Sequence, residues 1–337
     1  MTRVLVPHDI DAAGPALGGR VHTVSGETMG TTWSVRFVAS AQTAPEPWRA
    51  GVQATLDAVV GEMSHWLPAS DLSRYNRAPP GSWVDFPADA FTVLGLGLDV
   101  ARASGGACDP TAGALVNRWG FGPTGRHDEA GFVPPHAHEV DALRAVTGWH
   151  RLDRDTAARR VWQPGGVVLD FSGIAKGYGV DAVARHLQSR GVRDALVEVG
   201  GELRGFGMKP DGQPWWTAIE RPPGAPDGLI ENRVALHGLA IATSGDYRRV
   251  YEHDGVRHAH TIDPRDGRPV ANGIVSCTVL HPLCVMADAW STALTVLGPD
   301  DGIACADREG LAAHLVVRSA DGGWREVWSR AFGALLT

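Results

Sequence analysis

The stretch from Trp215 to Leu280 most limits what this chain can fold into. Six strand-like segments follow one another there: Trp215–Glu220, Arg233–Leu236, Leu239–Thr243, Arg248–Glu252, Arg257–Ile262 and Gly273–Leu280. Most of the gaps are short turns. A parallel pair needs a crossover of roughly a dozen residues, so these strands are expected to be mostly antiparallel. Further strands are expected at Val167–Asp170, Ala195–Val199, Leu315–Arg318 and near Arg325–Trp328, with two more in Val21–Val38 around a turn at Gly26 or Gly30. Helical periodicity marks Pro47–Trp66, where Val52, Leu56, Val59, Met63 and Trp66 recur at three and four, and Ala88–Ser104, which stops at Gly105-Gly106. Lys176–Ser189, Met286–Leu297 and Asp301–Asp307 read as helices too, and Ala69–Pro87 and Gly120–Glu139 as loops. Strands mixed with a few helices, without strict βαβ alternation, predict an α+β fold. A length of 337 residues admits two domains, but no linker or repeat divides the chain. Residues 1–20 are expected to be a flexible arm and residues 21–337 a single domain.

Charge narrows the partners. A net charge of −7, with arginine and acid interspersed, argues against nucleic acid. No run of apolar residues is long enough to span a membrane, and MTRVLVPHDI lacks the unbroken apolar stretch of a signal peptide. A cytoplasmic protein without stable membrane insertion is the expectation. Cys108, Cys277, Cys284 and Cys305 form no C-x-x-C pair and are read as buried or kept reduced. The 31 basic residues include only two lysines, Lys176 and Lys209.

Dinucleotide-binding G-x-G-x-x-G, P-loop, G-x-S-x-G and H-E-x-x-H motifs are absent. Five less generic clusters remain. Met29, in Gly26–Thr32, fits either a plain glycine bend or a thioether laid on a flat ring. In Gly106–Gly113, small residues around Asp109-Pro110 let backbone approach a ligand, and Asp109 fits a helix N-cap equally well. In Asp170–Tyr178 a turn leads into a helix that begins with Lys176. A lysine opposes the helix dipole there, and makes sense if an anion sits beside it. His260 ends a strand before Asp263-Pro264, suited to acid–base work or to a structural role. Asp288 and Thr292, at i and i+4, share a helix face and offer hard oxygens suited to Mg²⁺; a helix-capping Asp288 is the alternative.

These clusters, in this order, resemble the ApbE family of FAD:protein FMN transferases. The resemblance runs from about Val24 to Gly298. It rests on Met29-Gly30-Thr31, Met63–Pro68, Ser73–Asn76, Asp109–Thr111 with Leu115–Pro123, Asp170–Tyr178, Gly200–Glu202, Thr243–Tyr247, His260–Gly267 and Ala287–Leu294. It implies an α+β fold of the family's own type, related to the T-fold. It also implies FAD as donor, Mg²⁺, and transfer of FMN to a Thr or Ser hydroxyl in the flavinylation motif of an acceptor protein, with release of AMP. FAD pyrophosphatase activity and non-catalytic FAD binding are the alternatives. By resemblance, Met29, Trp66, Ala107, Cys108, Asp109, Asp170, Lys176 and Ile262 would contact FAD. Gly173, Asp288, Ser291 and Thr292 would form the metal site, and His260 and Asp288 would serve catalysis. Three positions depart from the family pattern: Cys108 stands for Phe, Glu202 for Asp, and Phe171-Ser172 for Leu-Gly.

Overall fold

A computed structural model describes residues 2–7, 10, 19–226, 228–319 and 321–336. In chain order these form β1 (Thr2–Leu5), β2 (Gly19–Thr28), β3 (Thr31–Ser40), α1 (Glu46–Met63), α2 (Asp71–Asn76), β4 (Ser82–Asp85), α3 (Ala88–Ala103), α4 (Gly113–Arg118) and α5 (Ala137–Arg144). Next come β5 (Arg154–Asp155), β6 (Arg160–Gln163), α6 (Ala175–Ser189), β7 (Ala195–Val199), β8 (Glu202–Phe206), β9 (Trp215–Ala218), β10 (Glu231–Leu236) and β11 (Leu239–Gly245). The chain continues with β12 (Val250–His253), β13 (Val256–Ala259), β14 (Ile262–Asp263), β15 (Arg268–Pro269), β16 (Ile274–His281), α7 (Cys284–Leu297), α8 (Pro299–Glu309), β17 (Ala312–Arg318), β18 (Trp324–Trp328) and α9 (Arg330–Gly333).

The frame is an eight-stranded sheet ordered β18-β17-β16-β11-β8-β7-β3-β2. Every neighbouring pair in it is antiparallel, as the short turns predict. Side chains alternate across it with the strand period of two. Ala240 and Ala242 of β11 point into the cores beneath the helices, whereas Ile241 points into the core on the other face. The small alanines let α7 lie close against β11 and β16. On the same side α6 packs between α1 and α7. Val52, Leu56, Val59 and Met63 of α1 are all buried. The opposite face is covered by β1, β10 and β9, with Trp215, Leu236 and Phe332 at the centre of that core.

Several expectations need correction. Thr2–Leu5, assigned to a flexible arm, pairs in parallel with β10 and buries Leu5 completely. Residues 1, 8–9 and 11–18 of that arm lie outside the described residues. Val167–Asp170 is apolar but is not a strand: it makes one bridge, Val168 to Ala112, and buries Val167 and Leu169 without joining a sheet. Ala69–Pro87 contains α2, whose N-cap Ser70 accepts from Ser73 N, and β4. The first helix ends at Met63, before Trp66, because the Ser64 hydroxyl accepts from Trp66 N and Leu67 N and turns the chain away. Among the described residues no helix is long and apolar enough to cross a membrane.

Candidate active site

The loops at one end of α6 and α7 surround a cavity of about 280 Å³. Lys176 of α6 and Asp288 and Thr292 of α7 line it, beside the crossing of the two helices. At Gly177 a Cβ would stand 2.3 Å from the Cys284 carbonyl oxygen and 2.8 Å from Asp288 Cβ, so the missing side chain permits the crossing. The close approach brings Gly177 N, in the first turn of α6, to 2.9 Å from Asp288 Oδ2. Asp288 therefore does not cap its own helix, whose N-cap is Leu283; it satisfies a free amide of α6 across the interface. The anion expected at the start of α6 is thus partly supplied by the protein itself.

Asp288 Oδ1 remains, 3.9 Å from Lys176 Nζ. Lys176 Nζ lies closer, 2.5 Å, to Glu202 Oε1. Burial pulls both partners toward neutrality. Lys176 faces two carboxylates, Asp288 and Glu202, which outweigh desolvation and raise its pKa. Glu202 has one ammonium in its favour but is buried and faces Asp288, so its carboxyl is pushed up to about 7. Its Oε2 is buried without a hydrogen-bond partner.

The hydroxyls beside Asp288 form a directed chain. Ser291 Oγ donates to the Asp288 carbonyl at 2.9 Å, so Ser244 must donate to Ser291 Oγ at 2.8 Å. Ser244 then accepts from Thr292 Oγ1 at 3.2 Å, leaving the Thr292 lone pairs free. Gly173 packs against this group: a Cβ there would lie 3.1 Å from Thr292 Oγ1.

The turn before α6 is held from two sides. Asn76 donates to Leu169 O and accepts from Leu169 N, and Asp170 N donates to Pro110 O. Asp170 Oδ1 accepts from Ser172 N at 2.7 Å and lies 3.5 Å from His65 Nδ1. Asp109 is not a helix N-cap, since α4 starts at Gly113 after Ala112. Its Oδ1 accepts from Thr111 N and Oγ1, and its Oδ2 from Trp149 N. Burial raises the Asp109 pKa, with those hydrogen bonds opposing the rise. Burial, reinforced by Asp109, Asp288 and Asp170, pushes the Cys108 thiol up to about 12, so it keeps its proton.

His260 also lines the cavity. Burial, with Arg249 second, lowers its pKa to about 4, so the ring is neutral near pH 7. Its Nδ1 lies 3.2 Å from the Arg249 carbonyl, which can only accept; Nδ1 therefore carries the hydrogen and Nε2 the lone pair.

Ala107, Cys108, Asp109, Asp170, Gly173, Lys176, His260, Ile262, Asp288 and Thr292 all line the cavity, and Ser291 stands behind it. Met29 and Trp66 do not. Met29 takes a left-handed turn at φ 49° and packs inward, its methyl 3.3 Å from where a Gly179 Cβ would be. Trp66 is 42% exposed, with the Arg126 and Arg249 guanidiniums 5.9 and 5.8 Å from its ring. The cavity also takes in Ser244, Arg248 and Arg249, which were not singled out from the sequence. The Thr243–Tyr247 block did mark their neighbourhood. Among the described residues no cluster of three or more His, Cys, Asp or Glu side chains could hold a metal. Any cation here would rest on one carboxylate with hydroxyl and carbonyl oxygens.

Comparison with known proteins bears on this arrangement. The model of the ApbE family matches residues 29–315. A Vibrio cholerae protein named FAD:protein FMN transferase is 37% identical over 321 residues, 94% of this chain and 93% of that protein. A Haemophilus influenzae protein of the same name is 35% identical over 322 residues, 94% and 92% of the two chains. Among solved structures, the apo form of Pseudomonas stutzeri flavinyl transferase ApbE superposes with a TM-score of 0.84 at 38% identity, covering 94% of this chain and 97% of that one. The Vibrio cholerae flavin transferase ApbE gives a TM-score of 0.85 at 36% identity, covering 94% and 100%.

Proposed function

The chain belongs to the ApbE family, and from that premise we propose that it transfers FMN from FAD to a Thr or Ser hydroxyl of an acceptor protein. The observation that carries the reading is the grouping of Lys176, Asp288 and Thr292 in the lining of one cavity that a neutral His260 also lines. The acceptor oxygen attacks the phosphorus of the FMN half. The bond to the bridging oxygen breaks, and AMP leaves with that electron pair. His260 Nε2 takes the hydroxyl proton, which a free hydroxyl would hold far too tightly at neutral pH. Lys176, with 31% of its side chain open, offsets charge on a phosphate oxygen. Ala107, Cys108, Asp109, Asp170 and Ile262 would shape the pocket for FAD, and the exposed Trp66, next to the lining residue Arg249, offers a flat face.

The donor set suits magnesium. Asp288 Oδ1 and the Thr292 lone pairs are uncommitted, and Gly173 leaves the room beside them that a side chain would fill. Asp288, Thr292 and the Gly173 carbonyl would hold the ion, with Ser291 steadying the group. When bound, magnesium supplies positive charge to the pyrophosphate oxygens.

The test is incubation with FAD, Mg²⁺ and a candidate acceptor, followed by a denaturing gel read for flavin fluorescence. A fluorescent acceptor band is expected, lost in Asp288→Ala. No covalent flavin with any acceptor, or full transfer by Asp288→Ala, would refute the reading. AMP release at the same rate without acceptor would identify a pyrophosphatase instead.

A further inference from the structure

Lys176 and Asp288 are opposite charges in one wall, yet they stand 3.9 Å apart and do not close into a hydrogen-bonded pair. The nearer partner of the ammonium is Glu202, 2.5 Å away, 2% exposed and rooted at the start of β8. Arg248 also favours the charged form of Glu202, but makes no hydrogen bond to it. The nearby Arg248 is committed to Glu220 at 2.5 Å and to the Gly200 carbonyl at 3.2 Å. The Asp288 oxygen facing Lys176 is also the one that Gly177 leaves uncommitted. An ammonium that slid onto that oxygen would occupy the place of a divalent cation.

We propose that Glu202 is a positioning residue that draws the Lys176 ammonium off Asp288 and so keeps Asp288 open to a divalent cation. The inference rests on the metal site of the proposed function, but not on flavin transfer. It makes the length of the Glu202 side chain matter as well as its charge. Aspartate is shorter by one methylene, about 1.5 Å, so its contact with Lys176 would lengthen or would draw the ammonium out of its present place.

The test uses Mn²⁺ alone, without FAD, with free ion counted by electron paramagnetic resonance and folding checked by thermal melts. Glu202→Asp and Glu202→Gln are both expected to weaken Mn²⁺ binding by about ten-fold, the scale of one competing charge beside a dication in a wet cavity. Lys176→Met should tighten binding by a similar factor. In the Lys176→Met background, Glu202→Asp should change nothing, since no ammonium is left to restrain. Asp288→Asn should abolish binding and so locate the ion. The proposal is overturned if Glu202→Asp binds Mn²⁺ like the parent. It is overturned equally if Glu202→Asp weakens binding to the same degree with and without Lys176, or if neither parent nor Lys176→Met binds Mn²⁺. Because no outcome is read from transfer, a failed flavinylation assay and a failed Mn²⁺ result are separate findings.

Discussion

Gly177→Ala tests the helix crossing directly. The new Cβ would sit 2.3 Å from the Cys284 carbonyl oxygen, where ordinary contact begins at 3.4 Å. The helices must part by about 1 Å, and neither side yields cheaply, because the obstacle is backbone and Cys284 is fully buried. That movement stretches the Gly177 N to Asp288 bond of 2.9 Å beyond hydrogen-bond range. Overpacking costs about 1–3 kcal/mol, and loss of a hydrogen bond to a carboxylate about 1.5–3. Alanine returns about 1 kcal/mol of helix propensity, so the net loss is roughly 3 kcal/mol. Gly179→Ala in the same helix is the control. Its Cβ meets only the side-chain ends of Leu56 and Met29 at 3.3 Å, which can move aside, while the propensity gain is the same. Urea unfolding followed by circular dichroism should place Gly177→Ala about 3 kcal/mol below the parent and about 4 kcal/mol below Gly179→Ala, whose propensity gain is not offset. Equal stabilities would show that the crossing is not held by the missing side chain.

Three further outcomes are expected. Lys176→Ala should lose transfer in the gel assay, whereas Lys209→Ala should change little, because the Lys209 ammonium pairs with Asp211, an exposed neighbour two residues on, and does not line the cavity. Asp181→Ala should cost about 3 kcal/mol in urea unfolding, since the 1% exposed carboxylate accepts from Arg204 at 2.5 Å and from Val285 N, and its loss leaves a partly buried guanidinium and a buried amide unpaired. His260 keeps its neutral form down to about pH 4 when folded, but takes a proton near 6.5 when unfolded. Its contribution is therefore present above 6.5 and lost as the pH falls toward 4. The urea midpoint of His260→Gln should accordingly fall less across that range than the parent's.

What the sequence made legible was local. Asp288 and Thr292 share a helix face by spacing alone, and Lys176 was conspicuous as a cation at a helix start. The α+β class followed from strands mixed with a few helices without βαβ alternation, and the antiparallel pairing from the short turns. What it hid was pairing across long separations. Nothing near Asp109 announces that Trp149 N will hold its second oxygen, and nothing near Lys176 announces Glu202. The four residues of β1 are too few to declare a strand without β10. Val167–Asp170 misled for the opposite reason: an apolar run reports burial, and here the partners are Asn76 and the Pro110–Gly113 backbone, not a strand. Met29 sits in the expected block, but its backbone turns the side chain into the core.

The cap that Asp288 places on α6 also sets when the site can exist. α6 is made with the strands β2, β3 and β7, whereas its capping carboxylate arrives more than a hundred residues later on α7. A chain still emerging from the ribosome, or cleaved before Cys284, holds an α6 with an unsatisfied amide and a Lys176 lacking one of its two carboxylates. The site is therefore complete only once α7 has docked on α6, a contact between residues 111 positions apart in the chain.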